Sequence, residues 1–428
     1  MTYDETVTYL FNCAPPFQQV GGAAYKEGLS TTIALDEHLG NPHKKFRTIH
    51  VAGTNGKGST SHTLAAILQE SGYNVGLYTS PHLIDFRERM RVNGTPASKE
   101  YVIDFVEKHR SFFEPLQPSF FELTTAMAFN YFAEKEVDIA IIEVGLGGRL
   151  DCTNIITPEL CIITNISLDH TQFLGSTLQE IASEKAGIIK NGIPVIIGET
   201  TPETKEVFAN KAKEMNAPII FAEEESLLTD ATPFENGYEY TSNIFGKFTG
   251  ELGGDYQQKN TNTLLSTINL LHKKGFDITD NSFRKGFTNV CNLTGFMGRW
   301  QKVQESPRVV CDAGHNIGGI KYITEQLARV NCKELRIVFG MVNDKDITSV
   351  LRMMPQKAKY YFTQASIKRA MPAKELKEMA EKYGLKGDCH PNVKEALKNA
   401  IKESSAKDFI FVGGSCFIVA DLLSALEK

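Results

Sequence analysis

The stretch 46-FRTIHVAGTNGKGSTSHTLAAILQESG-72 contains a strand pattern, a glycine-rich loop and a helix pattern, in that order. A short apolar, β-branched run is typical of a buried strand, and the later apolar residues recur at helical spacing. The usual phosphate loop has Gly, four residues and then Gly-Lys-Ser/Thr. Here Val51 stands at the leading glycine position, and Gly58 follows the lysine. The loop is therefore either accidental or of another kind.

The loop nevertheless contains the groups that a triphosphate needs. Backbone amides at a helix N-terminus bind anions, and glycines let a phosphate approach the backbone closely. Lys57 supplies positive charge, and the hydroxyl of Ser59 or Thr60 can reach Mg²⁺. The alternative is a glycine-rich turn with a solvated lysine. The order of strand, loop and helix favours the phosphate site.

The alternation of apolar strands with helical patterns predicts the fold class. Continuous apolar strands are expected in a mostly parallel sheet that helices cover on both faces. The predicted strands of the first part are 46–53, 73–80, 137–145, 159–166 and 193–198. Ligands of such sheets bind beyond the carboxyl ends of the strands. Together with the phosphate-loop pattern, this alternation predicts an α/β first domain of the P-loop type with a mostly parallel sheet.

A second α/β pattern begins after residue 300, with the strand runs RVVCDAG, ELRIVFGM, KYYFTQ and DFIFVGG. We predict an ATP-binding domain at 1–296 and a smaller, Rossmann-like domain at 297–428. The segment 292-NLTGFMG-298 is the candidate hinge, and 223–255 is expected to form a short antiparallel excursion. A chain of 428 residues is long enough for two such cores.

Composition argues against several other classes of protein. The net charge is −5 and the 46 basic residues are spread along the chain, which argues against nucleic acid or membrane partners. The eight cysteines form no C-x-x-C pair, so neither zinc nor a disulfide framework is expected. The start of the chain lacks a signal-peptide pattern, and no run is long enough to span a membrane. We expect a cytoplasmic monomer that acts on small molecules.

The loop and six further segments identify the chain as similar to a known family. GTNGKGS resembles the ATP loop of the Mur ligase superfamily. The further segments resemble, in order, motifs of the folylpolyglutamate synthase and dihydrofolate synthase family: 79-TSPHL-83, 143-EVGLGGRLDCTN-154, 169-DHTQFLG-175, 184-EKAGIIK-190, 254-GDYQQKN-260 and 312-DAGHN-316. The resemblance covers residues from about 50 to 316. It implies ATP-driven amide formation between a folate-type carboxylate and the amine of glutamate, with Mg²⁺ as cofactor.

The resemblance also implies which residues form the site. Those expected to bind ATP are Gly53, Thr54, Asn55, Gly56, Lys57, Gly58, Ser59, Thr60, Asn260, Arg299 and Asp312. Those expected to hold magnesium are Ser59, Ser80, Glu143, His170 and Lys185. The family carbamylates the lysine that corresponds to Lys185. Because that reaction needs a neutral amine, the site must lower the pKa of this lysine.

Lys57, carbamylated Lys185 and His315 are the expected catalytic residues. The family usually reads D-x-A-H-N-P, whereas here Ala313 and Gly314 separate Asp312 from His315, and Ile317 follows Asn316. The spacing from aspartate to histidine is kept, so both roles are retained. The altered neighbours leave the geometry of the turn open.

The folate-binding residues implied by the resemblance are Phe121, Glu122, Thr125 and Asp151. Phe121 is expected to face a flat ring, with packing in a helix core as the alternative, and Asp151 to bond pterin nitrogens. GGRLD is more similar to the form in chains that perform both reactions, which favours a bifunctional enzyme. A monofunctional version, or a Mur-type ligase with another acceptor, is the alternative. A simple phosphotransferase or nucleotide switch would need no amine acceptor and no carbamate, and a binding-only relative would lack turnover.

Overall fold

The computed structural model describes residues 1–14, 28–235, 237–343 and 345–426. These residues form two compact units. The first consists of Met1–Glu251 and Gln257–Phe296, and the second of Leu252–Tyr256 and Met297–Lys428. The second unit thus includes five residues that the sequence analysis assigned to the first domain. The domain division at 296/297 stays a prediction.

The first unit is built on an eight-stranded sheet and a three-stranded antiparallel sheet. The strands of the large sheet are β1 Arg47–Ala52, β2 Val75–Tyr78, β3 Met90–Val92, β4 Thr95–Pro96, β5 Ile139–Glu143, β6 Leu160–Ile163, β7 Val195–Ile197 and β8 Ile219–Phe221. Their spatial order is β4-β3-β2-β5-β1-β6-β7-β8. All neighbours pair in parallel except at β3 and β4. The small sheet contains β9 Leu228–Phe234, β10 Gly237–Ser242 and β11 Gly246–Gly250.

Helices cover the large sheet on both faces. The helices of the first unit are α1 Tyr3–Cys13, α2 Ser30–His38, α3 Lys57–Glu70, α4 Lys99–Leu116, α5 Phe120–Glu134, α6 Thr171–Leu174, α7 Leu178–Ala186, α8 Pro202–Glu214, α9 Ala222–Glu225, α10 Gln257–Lys273, α11 Asp280–Thr288 and α12 Val290–Thr294. On β5, Ile139 and Ile141 join the core around α3 and α10, whereas Ala140 and Ile142 join the core around α5. Successive side chains of a strand point to opposite faces. A strand between two helical layers is therefore apolar at every position.

The second unit contains a six-stranded sheet in the order β12-β13-β17-β14-β15-β16. Its strands are β12 Gln301–Gln304, β13 Arg308–Asp312, β14 Leu335–Phe339, β15 Lys359–Phe362, β16 Lys386–Cys389 and β17 Phe409–Gly413. Its helices are α13 Ile317–Leu327, α14 Ile347–Met353, α15 Ala373–Glu381, α16 Val393–Lys402 and α17 Cys416–Leu426. Only β12 runs antiparallel to its neighbour among the described strands of this sheet.

The predicted α/β class is confirmed, and each predicted apolar run contains a strand. The antiparallel excursion is the sheet formed by β9, β10 and β11. The patterns missed the strands at the sheet margins, such as Lys386–Cys389 and Gln301–Gln304. Short polar strands lack the apolar run that the prediction relied on. No helix within the described ranges has the length and apolar character needed to cross a membrane.

Candidate active site

The predicted site residues of the first unit follow adjacent parallel strands. Strand β5 lies between β1 and β2, and β6 lies on the other side of β1. Val51 pairs with Glu143, and the Val144 amide donates to the Val51 carbonyl at 2.9 Å. Because the carboxyl ends of parallel strands meet at one edge, the segments after β1, β2, β5 and β6 converge there.

The glycine-rich loop is tied to the segment that follows β6. The Thr54 amide donates to the Asn165 carbonyl at 2.9 Å, and the Asn55 amide donates to Asn165 Oδ1 at 2.9 Å. A Cβ at Gly53 would collide with Thr164, and one at Gly56 with Asn260. Both glycines also have positive φ, at 141° and 86°. The left-handed backbone and the surrounding side chains together favour glycine at these two positions.

Gly58 differs from the other two glycines of the loop. A Cβ there would lie 3.5 Å from the Phe296 ring and 4.0 Å from Glu143 Oε1, which are ordinary contact distances. The protein itself has room for a side chain at this position. The absence of one leaves space beside the Glu143 carboxylate, as an approaching ligand would require.

Lys57 is the first residue of α3, and its ammonium lies over the loop. Its Nζ donates to the carbonyls of Gly53 and Thr54 at 3.0 and 3.1 Å. Further along the helix, Ser59 Oγ accepts from Gln257 Nε2 at 3.2 Å, and Gln257 Oε1 accepts from Asn260 Nδ2 at 2.8 Å. These contacts bring the predicted residues Ser59 and Asn260 into one network.

Two members of this region were missed by the sequence analysis. Asn165 and Gln257 carry no catalytic type of side chain. Only their positions in the sequence could have indicated that they belong to the site. Asn165 follows the apolar run of β6, and Gln257 precedes Asn260 by about one helical turn.

Ser80 and Glu143 are brought together at the ends of β2 and β5. The Ser80 amide donates to Glu143 Oε2 at 3.1 Å, and Glu143 is only 4% exposed. Thr60 Oγ1 is buried and has no hydrogen-bond partner among the described residues. The buried Glu143 carboxylate and the Ser80 hydroxyl carry the kinds of oxygen ligand that Mg²⁺ prefers. This donor set fits the predicted ion.

Lys185 lies in the last turn of α7 and is 5% exposed. Its pKa is lowered to about 7, chiefly by burial and then by the Lys57 cation, while Asp169 and other carboxylates oppose the shift. Carbamylation requires such a shift, because it needs a neutral amine. At neutral pH a large fraction of the amine is therefore unprotonated.

His170 caps α6 in a left-handed conformation, with φ of 50°. Its amide donates to Asp169 Oδ1 at 2.8 Å, and its side chain is 28% exposed. No group of three or more His, Cys, Asp or Glu side chains suited to a metal occurs in the described ranges. The predicted set has a different composition, since it contains serines and a modified lysine. The metal roles stay predictions.

In the second unit, Asp312 lies at the end of β13 and is 1% exposed. Its Oδ2 accepts from the Tyr256 hydroxyl at 2.5 Å and the Trp300 amide at 2.8 Å, and its Oδ1 accepts from the Gly314 amide at 2.7 Å. Burial and then the Asp312 carboxylate hold the pKa of Tyr256 well above its usual value. Tyr256 is a third residue that the sequence analysis missed.

The other predicted residues of this unit lie close to Trp300 and Asp312 in the sequence. His315 Nδ1 lies 3.0 Å from the Ala313 carbonyl, so it donates and leaves Nε2 as the acceptor nitrogen. Arg299 Nη1 donates to the Gly298 carbonyl at 3.1 Å. Asn316 caps α13 by accepting from the Gly319 amide at 2.9 Å. The altered D-A-G-H-N-I sequence thus forms a capped strand-to-helix turn.

The predicted folate residues have partners within the protein. The Phe121 ring lies against Gly145, where a Cβ would collide with it. Glu122 completes a capping box with Ser119, and Thr125 Oγ1 lies 3.0 Å from the Tyr78 hydroxyl. Their folate roles stay predictions.

Asp151 has both carboxylate oxygens occupied by donors from the protein. One oxygen accepts from the amides of Gly145 and Leu146, at 3.0 and 2.8 Å. The other accepts from the amide and hydroxyl of Thr153, at 3.0 and 2.5 Å. In this structure Asp151 therefore holds the GLGG turn, and its contact with a pterin stays a prediction.

Two family models match the chain. The Mur ligase middle domain matches residues 51–267, and the Mur ligase glutamate ligase domain matches residues 298–416. The dihydrofolate synthase/folylpolyglutamate synthase of Bacillus subtilis is 34% identical over 416 residues, which is 94% of this chain and 95% of the relative. The chain belongs to the folylpolyglutamate synthase/dihydrofolate synthase family. As a member of this family it is an ATP-dependent ligase.

Solved structures of family members have the same fold. Escherichia coli FolC in complex with DHPP and ADP aligns over 100% of this chain and 98% of its own, with a TM-score of 0.85 and 30% identity. A bifunctional folylpolyglutamate synthase/dihydrofolate synthase with Mn, AMPPNP and L-glutamate bound aligns over 100% and 98%, with a TM-score of 0.83 and 29% identity. Both units of the present chain thus have counterparts in the family.

Proposed function

We propose that this enzyme uses ATP to join L-glutamate to the carboxylate of a folate-type acceptor. The observation that carries the proposal is the site at one sheet edge, where the Lys57 loop lies beside the Ser80–Glu143 pair and near the buried, low-pKa Lys185. The relatives crystallised with ADP, AMPPNP, Mn and L-glutamate support the same assignment of substrates and of a divalent cation.

The chemistry begins with a carboxylate, which is a poor acyl donor because its oxygen is a poor leaving group. Transfer of the γ-phosphoryl group of ATP to this carboxylate gives an acyl phosphate. The amine of glutamate then attacks the acyl carbon, the C–O bond to phosphate breaks, and inorganic phosphate leaves while the amine loses a proton. The acyl phosphate must be shielded from water, which would hydrolyse it.

The proposed roles are those that the resemblance to the family implies, and the positions of Lys57, Ser80, Glu143 and Lys185 support them. Lys57 moves from the loop carbonyls to the β- and γ-phosphates, and Asn260 and the loop amides hold the nucleotide. Ser59, Ser80, Glu143, His170 and carbamylated Lys185 hold Mg²⁺, which neutralises charge on the transferring phosphoryl group when bound. Arg299 and Asp312 are the further residues proposed to bind ATP, and His315 is the third proposed catalytic residue.

We propose that both dihydropteroate and tetrahydrofolates serve as acceptors. The bifunctional names of the Bacillus subtilis relative and of the structure with bound glutamate support this choice, as does the GGRLD sequence. Phe121, Glu122, Thr125 and Asp151 are the proposed acceptor-side residues. We further propose that the enzyme works as a cytoplasmic monomer on small molecules, without nucleic acid or membrane partners.

The test is phosphate release by purified protein supplied with ATP, Mg²⁺ and either dihydropteroate or tetrahydrofolate, with and without glutamate. Turnover is expected only when an acceptor and glutamate are both present, with the glutamylated product detected by mass spectrometry. Phosphate release that depends on neither the acceptor nor glutamate would contradict the ligase assignment and favour a phosphotransferase. Turnover with one acceptor alone would indicate the monofunctional version.

The variant K57A is expected to lower kcat by about 10²–10³-fold, since it removes a positive group directed at the transferring phosphoryl. The matched control is K45A, which removes an exposed lysine two residues before the start of β1. Thermal unfolding of both variants checks that the fold is intact. Unchanged kcat in folded K57A would refute the role of the loop.

A further inference from the structure

The segment 79–85 carries Ser80, and it is held by the two residues that end a short 3-10 helix, Phe86–Arg89. The Glu88 carboxylate accepts from three successive amides. Its Oε2 accepts from Leu83 at 2.8 Å, and its Oε1 accepts from Ile84 and Asp85 at 2.9 and 2.7 Å. Hydrogen bonds to an ionised carboxylate are stronger than those between neutral groups.

Arg89 holds the earlier part of the same segment. Its carbonyl accepts from the Thr79 amide at 3.1 Å, and its Nε donates to His82 Nδ1 at 2.8 Å. The Arg89 side chain is buried, with the guanidinium carbon 5.1 Å from the centre of the Phe120 ring. Two adjacent residues thus contact the segment on both sides of Ser80.

Ser80 lies between these contacts, and its amide donates to Glu143 Oε2 at 3.1 Å. Glu143 ends a central strand that pairs with both β1 and β2. The backbone that carries this carboxylate is therefore fixed by the sheet. The position of the Ser80 hydroxyl relative to that carboxylate depends on the 79–85 segment.

We propose that Glu88 and Arg89 are positioning residues, which fix Ser80 against Glu143 and thereby set the affinity of the site for its divalent cation. This inference rests on the proposed function, because that function requires the cation. Residues that orient metal ligands without touching the ion alter affinity by about 10–100-fold when they are replaced. A purely structural cap of the 3-10 helix would instead affect stability alone.

The substitution E88Q separates these two roles. Glutamine keeps the volume but has only one acceptor oxygen, so at least one of the amides at 83–85 faces an NH₂ group. The matched control is E5Q, which alters the capping box formed by Thr2 and Glu5 on α1. A second variant, R89K, keeps the positive charge and the carbonyl but removes the directed bond to His82.

The first measurement is Mn²⁺ binding to the full chain with ADP, followed by the electron paramagnetic resonance signal of free Mn²⁺. We expect about a tenfold weaker Mn²⁺ affinity in E88Q, a smaller loss in R89K and the parent value in E5Q. The second measurement is amide hydrogen exchange without metal or nucleotide. Faster exchange is expected at residues 80 and 83–85 in E88Q alone.

The outcomes distinguish failure of this inference from failure of the proposed function. Folded E88Q with faster exchange but the parent Mn²⁺ affinity would overturn the positioning role and leave the proposed function intact. A parent protein that binds no Mn²⁺ in the presence of ADP would instead refute the metal site and the inference with it. If E88Q does not fold, parent-like Mn²⁺ affinity in R89K overturns the role of Arg89, and weakened affinity supports it.

Discussion

Lys185 is the residue whose environment bears most directly on the proposed chemistry. An exposed lysine is almost fully protonated at neutral pH, since its pKa is about 10.4. Burial, assisted by the Lys57 cation, lowers the pKa of Lys185 to about 7. Because carbon dioxide reacts only with the neutral amine, this environment prepares the residue for carbamylation.

The pKa of Lys185 predicts the pH dependence of carbamylation. The unprotonated fraction rises from about one tenth at pH 6 to about nine tenths at pH 8, so a carbamate signal should rise in the same direction. The measurement is ¹³C NMR of protein equilibrated with ¹³C-bicarbonate at saturating Mg²⁺. Turnover in bicarbonate-containing buffer should increase over the same range.

The matched control for this signal is a second lysine of the same motif. Lys190 is also partly buried, but its Nζ donates to the Asn154 carbonyl at 2.8 Å. K185M should lose the carbamate signal and K190M should keep it. A signal that persists in K185M, or that grows as the pH falls, would contradict the assignment.

At the scale of elements, the two ends of α3 contain three kinds of glycine. Gly53 and Gly56 combine positive φ with packing that leaves no room for a Cβ. Gly72, beyond the end of α3, has φ of 87° but open space around its Cβ position. Gly58 has ordinary φ and room within the protein. Glycine therefore avoids backbone strain at Gly72, avoids both strain and collision at Gly53 and Gly56, and leaves space for a ligand at Gly58.

Three alanine variants test this distinction. G72A should be destabilised by about 1–2 kcal/mol, the cost of left-handed backbone in a residue with a Cβ. G56A should be destabilised more, because it adds a collision with Asn260 to the same strain. G58A should unfold close to the parent temperature and yet bind ADP with Mg²⁺ more weakly. Thermal unfolding and calorimetric titration of ADP measure these effects, and equal destabilisation of G56A and G72A would refute the packing argument.

At the scale of the whole molecule, the short segment 252–256 belongs with the second unit, although the next helix along the chain belongs to the first. The Asp255 amide donates to Gln326 Oε1 at 3.0 Å, and the Asp255 carboxylate pairs with Arg329. Tyr256 donates to Asp312, and Gly253 lies against Trp300. A boundary drawn at one point in the sequence would separate these partners.

A fragment of residues 297–428 is therefore expected to be less stable than the same residues in the full chain. Trp300 is the sole tryptophan, so its fluorescence reports on this unit during urea unfolding. The fragment should unfold at lower urea, because the Asp312 carboxylate loses the Tyr256 hydroxyl and stays buried. The urea midpoint of the full chain carrying Y256F should lie between those of the fragment and the parent full chain. The control is Y360F, which removes another tyrosine hydroxyl of the same unit. Identical midpoints for fragment and full chain would contradict this role of 252–256.

Local patterns in the sequence predicted most of the fold. Apolar runs at 137–145 and 159–166 contain β5 and β6, and the strand–loop–helix order around Lys57 is confirmed. The polar margin strand Lys386–Cys389 was not predicted, because its neighbours in the sheet rather than its own residues make it a strand. The motifs also placed Ser80 and Glu143 at strand ends, where the structure brings them together.

The partners of these residues could not be read from the same patterns. Asn165, Gln257 and Tyr256 contact predicted site residues that lie at least 56 positions away in the chain. Such contacts follow from which strands are neighbours and how helices pack on them. The apolar pattern of a strand predicts that the strand is buried, but it does not predict which strand lies beside it. The sequence thus determined the elements and the chemical groups they carry, whereas strand order and burial decided which groups meet and lowered the pKa of Lys185.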